Sequence, residues 1–87
     1  MRISVDDRDA GFDEWKRLAG QGVDVFAIKV KQNGVLISDA IVADDDVHLT
    51  IRYKTDANGQ LVMNWANDRV ETEIVYGPVE IIMPVAP

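Results

Sequence analysis

The sequence contains no cysteine and few of the other residues that usually carry chemistry. Without cysteine there can be neither a disulfide nor a thiolate metal site, so packing alone must hold the fold. His48 is the single histidine and falls on the polar side of an alternating stretch, which indicates an exposed imidazole. The two serines, Ser4 and Ser38, lie in strand-like patterns without the sharp turn that presents a nucleophile. The sequence therefore predicts a protein that is not an enzyme and needs no cofactor.

Long apolar runs and positive charge are also scarce. Charges begin close to the first residue, so no signal-peptide core is expected, and no later run approaches the ~20 apolar residues of a membrane-spanning helix. Nine basic against fifteen acidic side chains leave a net charge of −6. This balance repels a phosphate backbone, so direct nucleic-acid binding is not expected. We interpret the basic pairs Lys29 with Lys31 and Arg52 with Lys54 as solvated sheet faces.

The length of the chain limits the number of domains that it can form. Its 87 residues predict a single domain, 1–87, because so short a chain buries only about 60–65% of its unfolded surface and cannot support two cores. Apolar residues make up 47% and charged residues 28%, which is the balance of an ordinary folded domain.

One segment near the N-terminus has helical periodicity. Its apolar residues recur at spacings of three and four, which places them on one face: Phe12, Trp15, Leu18 and Ala19. A glycine follows at position 20 and supplies the stop. A helix of roughly eight to ten residues is marginal alone, so its apolar face must dock on a sheet, with Trp15 as the central contact.

From Val23 onward the sequence alternates with a period of two residues, which predicts strands. In the first strand Phe26, Ile28 and Val30 share the inward side. The pair Asn33-Gly34 then predicts a type I′ hairpin turn. The next strand, "VLISDAIVA", is apolar on both sides, so it is either buried on both faces or bulged near Asp39.

Two later strands alternate more regularly. In the first, polar residues that include Thr50 and Arg52 are expected to face outward. The apolar residues expected to face inward are Val47, Leu49, Ile51 and Tyr53. In the second, "VETEIVYG", one side of the strand carries Glu71, Glu73 and Val75. The other side carries Val70, Thr72, Ile74 and Tyr76.

The stretch "TDANGQLVMN" between them raises the question of a calcium loop. Counting from Asp56, the sixth residue is Leu61 and the twelfth is Asn67, so the required glycine and glutamate are both missing. A β-hairpin corner at Asn58-Gly59 is the better interpretation, with Asp56 hydrogen-bonded to its own turn.

Together with a first strand in "RISV" and a last one in "VEIIMPV", these segments predict an α+β fold. It is predominantly antiparallel β, with about six or seven strands in a sandwich or half-open barrel and one short N-terminal helix packed on the sheet. Pro84 is expected at a strand end, since proline donates no ladder hydrogen bond. The apolar tail, including Ile81 and Met83, is a candidate edge strand through which two copies could pair as a homodimer.

Further candidate interaction residues are polar or aromatic. The run Asp44, Asp45 and Asp46 could hold a divalent cation, but a solvated turn between strands is the preferred interpretation, so no metal site is predicted. Glu71, Glu73 and Glu80 could form an acidic stripe, which is more typical of a water-facing edge. Trp65 is expected in the core, with a partly exposed, partner-binding position as the alternative.

The order of these segments also carries a resemblance. "VKQNGVLISDAIVADD", a strand ending in Tyr53, "TDANGQLVMN" and "VETEIVYGPVEI" together are similar to small proteins of unassigned function encoded in tailed phages and prophages. Those proteins share a glycine turn, a valine-rich strand into Ala-Asp, an Asp-x-x-Gly hairpin and a Thr-Glu strand before Gly-x-Val-Glu-Ile.

The resemblance covers about residues 30–82. Members of the group carry a glycine within the segment aligned with "DDVHL" and a Gly-Asp pair near "WAND", and this chain departs from both. The resemblance brings no catalytic residue. It implies a phage or prophage protein located in the host cytoplasm or the virion.

The sequence thus predicts a small acidic protein that acts through protein–protein contacts, as a structural or accessory component. One alternative is an inhibitor of a host defence or nucleic-acid-binding protein that mimics nucleic acid through its acidity. A metal-binding protein or minor enzyme is a further, disfavoured alternative.

Overall fold

The computed structural model describes residues 1–66 and 68–84. This part of the chain contains nine strands, one α-helix and a single 3₁₀ turn. The predicted class, predominantly antiparallel β with one short helix, is confirmed, although the strands are more numerous and shorter than expected. Their bounds are β1 Arg2–Ser4, α1 Phe12–Gly20, the 3₁₀ turn Val25–Ala27, β2 Lys29–Gln32, β3 Val35–Ile37, β4 Ala40–Asp44, β5 Leu49–Tyr53, β6 Met63–Asn64, β7 Arg69–Val70, β8 Thr72–Tyr76 and β9 Val79–Ile82.

The strands form three antiparallel sheets. The large sheet has the order β1-β4-β5-β8, the small sheet β3-β2-β9, and β6 with β7 forms a two-stranded ribbon. The chain passes from the small to the large sheet between β3 and β4, and returns at Gly77-Pro78 between β8 and β9. Bends of this kind are typical of two open sheets packed through shared corners.

The predicted strand "VLISDAIVA" is divided by the first of these corners. Its first half, β3, is an edge strand with Val35 and Leu36 exposed, so burial on both faces was wrong there, whereas in the second half, β4, the adjacent residues Val42 and Ala43 are both buried. The alternative, a bulge near Asp39, is confirmed, because the β4–β5 register shifts between Ala40 and Val42. The extra residue lets the chain turn from one sheet into the other.

Both predicted hairpin turns are present, although the second is closed only by the bridge between Thr55 and Leu61, since β5 pairs with β8 and β6 with β7. Asn33 and Gly34 have φ values of 53° and 77°, the pair of positive angles that a type I′ turn requires. In the second corner an Asp56 carboxylate oxygen accepts the N–H groups of Asn58 at 2.9 Å and Gln60 at 3.0 Å. Asp56 therefore serves the turn itself, as predicted.

The helix docks where the two sheets meet. Leu18 is buried, and Trp15 packs against a core cluster formed by Ile3, Leu18, Val25, Ala43 and Val79. These residues come from both sheets, the helix and the 3₁₀ turn. Ala19, expected on the docking face, is exposed instead. No helix in the described ranges has the length and apolar character to cross a membrane.

The predicted strand beginning at Val23 starts later than expected. Residues 25–27 form the 3₁₀ turn, and the strand begins at Lys29. A 3₁₀ turn has a period of about three residues, so the side chains of Val25 and Phe26 point in different directions. Val25 is buried, whereas Phe26 is 89% exposed and does not face inward as predicted.

The burial of residues in β5 and β8 also differs in part from the prediction. Thr50, expected outward, is completely buried with 0% exposure, while Tyr76, expected with the apolar set, is 72% exposed. Val47 is also exposed, in the turn before β5. The predicted sides were therefore wrong for Thr50, Ile74 and Tyr76, whereas Leu49 and Ile51, expected inward, are half-buried.

Candidate interaction surface

The most distinctive surface is the outward side of the large sheet at β5 and β8, which we call the outer face. In the register of these strands, Leu49 lies opposite Tyr76 and Ile51 opposite Ile74. Directly opposed residues share a side, as do residues two apart on one strand. The outer face therefore comprises Leu49, Ile51, Tyr53, Thr72, Ile74 and Tyr76.

A buried polar bridge decides which side faces outward. The Thr50 hydroxyl donates to Gln32 Oε1 at 2.7 Å, and Gln32 Nε2 donates to the Val75 carbonyl at 2.8 Å. Thr50 and Val75 belong to the large sheet, whereas Gln32 belongs to the small one. The bridge thus joins the two sheets and turns the Thr50 side of β5 inward, while Tyr53, Ile74 and Tyr76 on the opposite side are exposed.

His48 forms hydrogen bonds with the backbone near the corner between β8 and β9, next to this bridge. His48 has a φ of 56° and stands in the turn before β5 rather than on a strand. Its Nδ1 accepts the Val79 N–H at 3.1 Å, and its carbonyl accepts the Gly77 N–H at 3.0 Å. The imidazole is exposed, as predicted, but it serves as an acceptor for the backbone of the small sheet.

A groove runs along one end of the outer face. It consists of two overlapping depressions of about 640 and 600 Å³. Ile41, Tyr53 and Thr72 line it, together with the loop 5–9 and the segment 69–71. Arg8 and Arg69 bring positive charge to this groove in an otherwise acidic protein.

Arg8 is itself paired in the groove. Its Nε donates to Asp6 Oδ1 at 3.1 Å, and its backbone N–H donates to the same oxygen at 3.0 Å. These two contacts hold the pKa of the Asp6 carboxyl below its usual range, in the order given. The groove therefore offers charges of both signs beside apolar side chains such as Ile41 and Val70.

The acidic run is gathered by its turn into one cluster. Asp44, Asp45 and Asp46 each place a carboxylate oxygen within 4.8 Å of the others. The terminal ammonium of Met1 lies between two of them, 2.5 Å from Asp45 Oδ1 and 2.7 Å from Asp46 Oδ2. These hydrogen bonds, the one donated to Asp45 first, raise the pKa of the ammonium to about 10.

Asp44 differs from its neighbours because it is buried, not solvated as the turn interpretation predicted. Burial by itself raises the pKa of a carboxyl. Here the N–H groups of Val47 and Asp46 and the guanidinium of Arg2 outweigh burial and lower the pKa of Asp44. Asp44 therefore stabilises its own turn and the end of β1, and intramolecular cations compensate the negative charge of the cluster.

The other acidic candidates are dispersed. Glu71 lies 3.9 Å from the Lys54 ammonium, and Glu73 stands opposite Arg52 on the inward side of the large sheet. Glu80 belongs to β9 in the small sheet. The three glutamates therefore do not form the continuous acidic stripe that the sequence suggested.

The remaining candidates take two different environments. Trp65 is 79% exposed in the turn between β6 and β7, so its placement in the core was wrong and the partner-binding role stays a prediction. Ile81 and Met83 are half-buried against the core cluster. Strand β9 is an edge of the small sheet, and pairing of two copies along it stays a prediction.

The sequence interpretation missed the outer face as a site. The signal was limited, since only β8 has apolar residues on both sides, and in β5 the assignment depended on Thr50 being solvated. Comparison of the chain with protein-family models, with curated proteins and with solved structures finds no match.

Proposed function

We propose that this chain is a non-enzymatic binding protein that makes protein–protein contacts through the outer face. The observation that carries this proposal is the outward orientation of Ile51, Tyr53, Ile74 and Tyr76 around an inward-facing Thr50. A sheet normally turns its apolar side toward the core. Here the inward side is held by hydrogen bonds, so the apolar side is available to a partner.

The size and composition of the outer face support this role. Tyr53, Ile74 and Tyr76 are 41%, 54% and 72% exposed, which amounts to on the order of 300 Å² of exposed side chain. Apolar patches of this size on a monomer are often functional. Tyrosine is enriched in interfaces because its ring buries area while its hydroxyl stays hydrogen-bonded.

The groove adds specificity to this apolar area. Arg8, Arg69 and Asp6 line it, so a partner can meet both positive and negative charge beside apolar side chains. Charged groups of this kind steer association and select the partner more than they add affinity.

The phage or prophage resemblance supplies the context for this proposal. In that context the chain is a structural or accessory component, or a modulator of a host protein, in the host cytoplasm or the virion. Acidic mimicry of nucleic acid has less support, because the Asp44–Asp46 cluster is compensated by Met1 and Arg2.

The experiment that tests the proposal isolates partners from phage-infected cells and measures their affinity for two matched double variants. Ile74→Ser with Tyr76→Ser removes exposed apolar area from the outer face. Val35→Ser with Leu36→Ser removes similar exposed area from β3, at an edge of the small sheet. We expect at least a tenfold loss of affinity in the first variant and less than a twofold change in the second. Equal affinity of both variants would refute the outer face as the binding surface.

A further inference from the structure

A second concave site lies on the opposite side of the large sheet from the outer face. It is a cleft of about 170 Å³ between the two sheets, below the helix and the 3₁₀ turn. Strands β1, β2 and β4 contribute its floor and walls. It shares the lining residues Val5 and Ile41 with the groove, but none of the exposed residues of the outer face. Its apolar lining includes Trp15, Phe26, Ile28, Val30, Ala40 and Ile41.

The chemistry of the lining restricts what the cleft can hold. Among the described residues that line it, Ser4 alone is polar, and none carries a charge. The Ser4 hydroxyl already accepts the Asp6 N–H at 3.0 Å and donates to the Asp6 carbonyl at 3.4 Å. A charged or strongly polar ligand would therefore lose its hydration without gaining a hydrogen-bond partner. Water is held poorly for the same reason.

The shape and aromatic content of the cleft point to a flat ring. Trp15 and Phe26 stand edge to face at its side, with centroids 6.0 Å apart and planes at 84°. Two rings in this arrangement leave an edge and a face for a third ring. The volume suits one such ring, since an apolar cavity of about 150 Å³ in an unrelated protein binds benzene.

Phe26 also indicates that the cleft is reachable. Its ring lines the cleft and yet is 89% exposed, and Val5 beside the opening is half exposed. A ligand can therefore enter from solvent without opening the core cluster, and would cover apolar surface that the fold leaves to water.

We propose that this cleft is a binding site for a free, uncharged, single-ring aromatic molecule. The ring packs against Trp15 and Phe26, and its other face lies on Ile28, Val30 and Ile41. Ala40 is one of the two alanines in the wall of the cleft, so a larger side chain at this position would fill part of it.

The two tryptophans allow a direct test. Trp15 lines the cleft, whereas Trp65 is exposed in the turn between β6 and β7, so the variant Trp65→Phe leaves Trp15 as the single fluorescent reporter. Toluene is titrated into this variant, with benzoate as a charged ring of similar size. We expect a saturable change in Trp15 emission with toluene at about 0.1–1 mM and none with benzoate.

Matched variants in the same background locate the binding. Ala40→Leu fills the cleft and should weaken toluene binding at least tenfold, whereas Ala19→Leu adds the same side chain on the exposed helix surface and should leave it unchanged. Should Ala40→Leu fail to fold, Phe26→Ser removes one wall at an exposed position and should weaken binding several-fold.

Three results would overturn the proposal. One is no saturable response to toluene up to its solubility. Another is equal binding by Ala40→Leu, or by Phe26→Ser where that variant replaces it. The third is a dimer in sedimentation that Phe26→Ser converts to a monomer, because the Phe26 ring of a second copy would then fill the cleft.

Discussion

The two sides of the large sheet are built on opposite principles. Toward the small sheet, Thr50 is completely buried and its hydroxyl is hydrogen-bonded to Gln32. Toward solvent, Ile74 and Tyr76 are mostly exposed although each would gain from burial. The comparison shows that a polar side chain can face a core when its hydrogen bonds are satisfied. The exposed apolar side chains are the ones that the proposed function assigns to a partner.

The difference also separates the residues that stabilise the fold from the exposed residues that the proposed function uses. The inward bridge links residues 18 positions apart in the sequence and connects two sheets, so its loss should affect folding. Fully burying a side chain such as Ile74 is worth about 1.5–3 kcal/mol. The fold leaves about half of that unrealised, and a partner can gain it.

The largest expected effect comes from removing the bridge. Gln32→Leu keeps the volume but leaves the Thr50 hydroxyl and the Val75 carbonyl without their partner. At about 1–3 kcal/mol for each buried unsatisfied group, we expect a loss of roughly 3 kcal/mol of unfolding free energy in urea denaturation.

A double variant sharpens this prediction. Adding Thr50→Val to Gln32→Leu also removes the Thr50 hydroxyl that Gln32→Leu leaves without a partner. The second substitution should therefore recover part of the lost unfolding free energy. If Gln32→Leu changes the unfolding free energy by less than about 0.5 kcal/mol, the bridge does not decide which side of the sheet faces inward.

The second prediction concerns the corner at Gly77-Pro78, where the chain passes from β8 in the large sheet to β9 in the small sheet. Gly77 has a φ of 153°, and a Cβ there would lie 2.6 Å from Asn33 Oδ1. Gly77→Ala should therefore cost about 2 kcal/mol, from backbone strain and from displacement of the Asn33 amide.

Asn33→Gly removes that amide and keeps the positive φ of the turn. In thermal unfolding, Gly77→Ala should be less harmful in the Asn33→Gly background than in the native chain. Equal losses in both backgrounds would mean that the contact with Asn33 plays no part and that the strain is in the backbone alone.

A third prediction tests the polar end of the outward side, at β1 and β4. Arg2 lies opposite Asp44 there and donates to Asp9, whose pKa it lowers. The pKa of Asp44 is lowered, against its burial, by the N–H groups of Val47 and Asp46 and then by Arg2. A lowered folded-state pKa gives stability that is present above the unfolded value of about 4 and is lost as the pH falls through the folded value. Asp44→Asn should thus cost about 1–2 kcal/mol at pH 7, and the difference should shrink below about pH 4.

Urea denaturation of Asp44→Asn and of the native chain at pH 7 and pH 3 provides the measurement. Asp46→Asn, at an exposed position of the same turn, is the control with a smaller expected effect at either pH. A difference for Asp44→Asn that stays constant from pH 7 to pH 3 would contradict the assigned role of its charge.

The smallest expected effect is on the outer face itself. Ile74→Thr removes an exposed apolar group, so the unfolding free energy should change by less than about 0.5 kcal/mol. Val75→Thr, one position away on the inward side, should cost more. If Ile74→Thr were the more destabilising of the two, the outer face would belong to the packing of the folded chain rather than to a binding surface.

The sequence by itself determined the local structure. Its period of two predicted the strands, Asn33-Gly34 and Asp56 predicted their corners, and Phe12 to Leu18 predicted the helix. Each of these depends on residues close in the chain, where backbone preference and side-chain spacing act directly.

Only the tertiary structure decided which side of each strand is buried. Alternation has the same period whichever side faces inward, and a strand with apolar residues on both sides gives no further indication. The choice was made by contacts between distant residues, namely Gln32 with Thr50 and Val75, and Arg2 with Asp44. The outer face and the cleft beside Phe26 follow from that choice, because burial and exposure are properties of the packed sheets and not of any one strand.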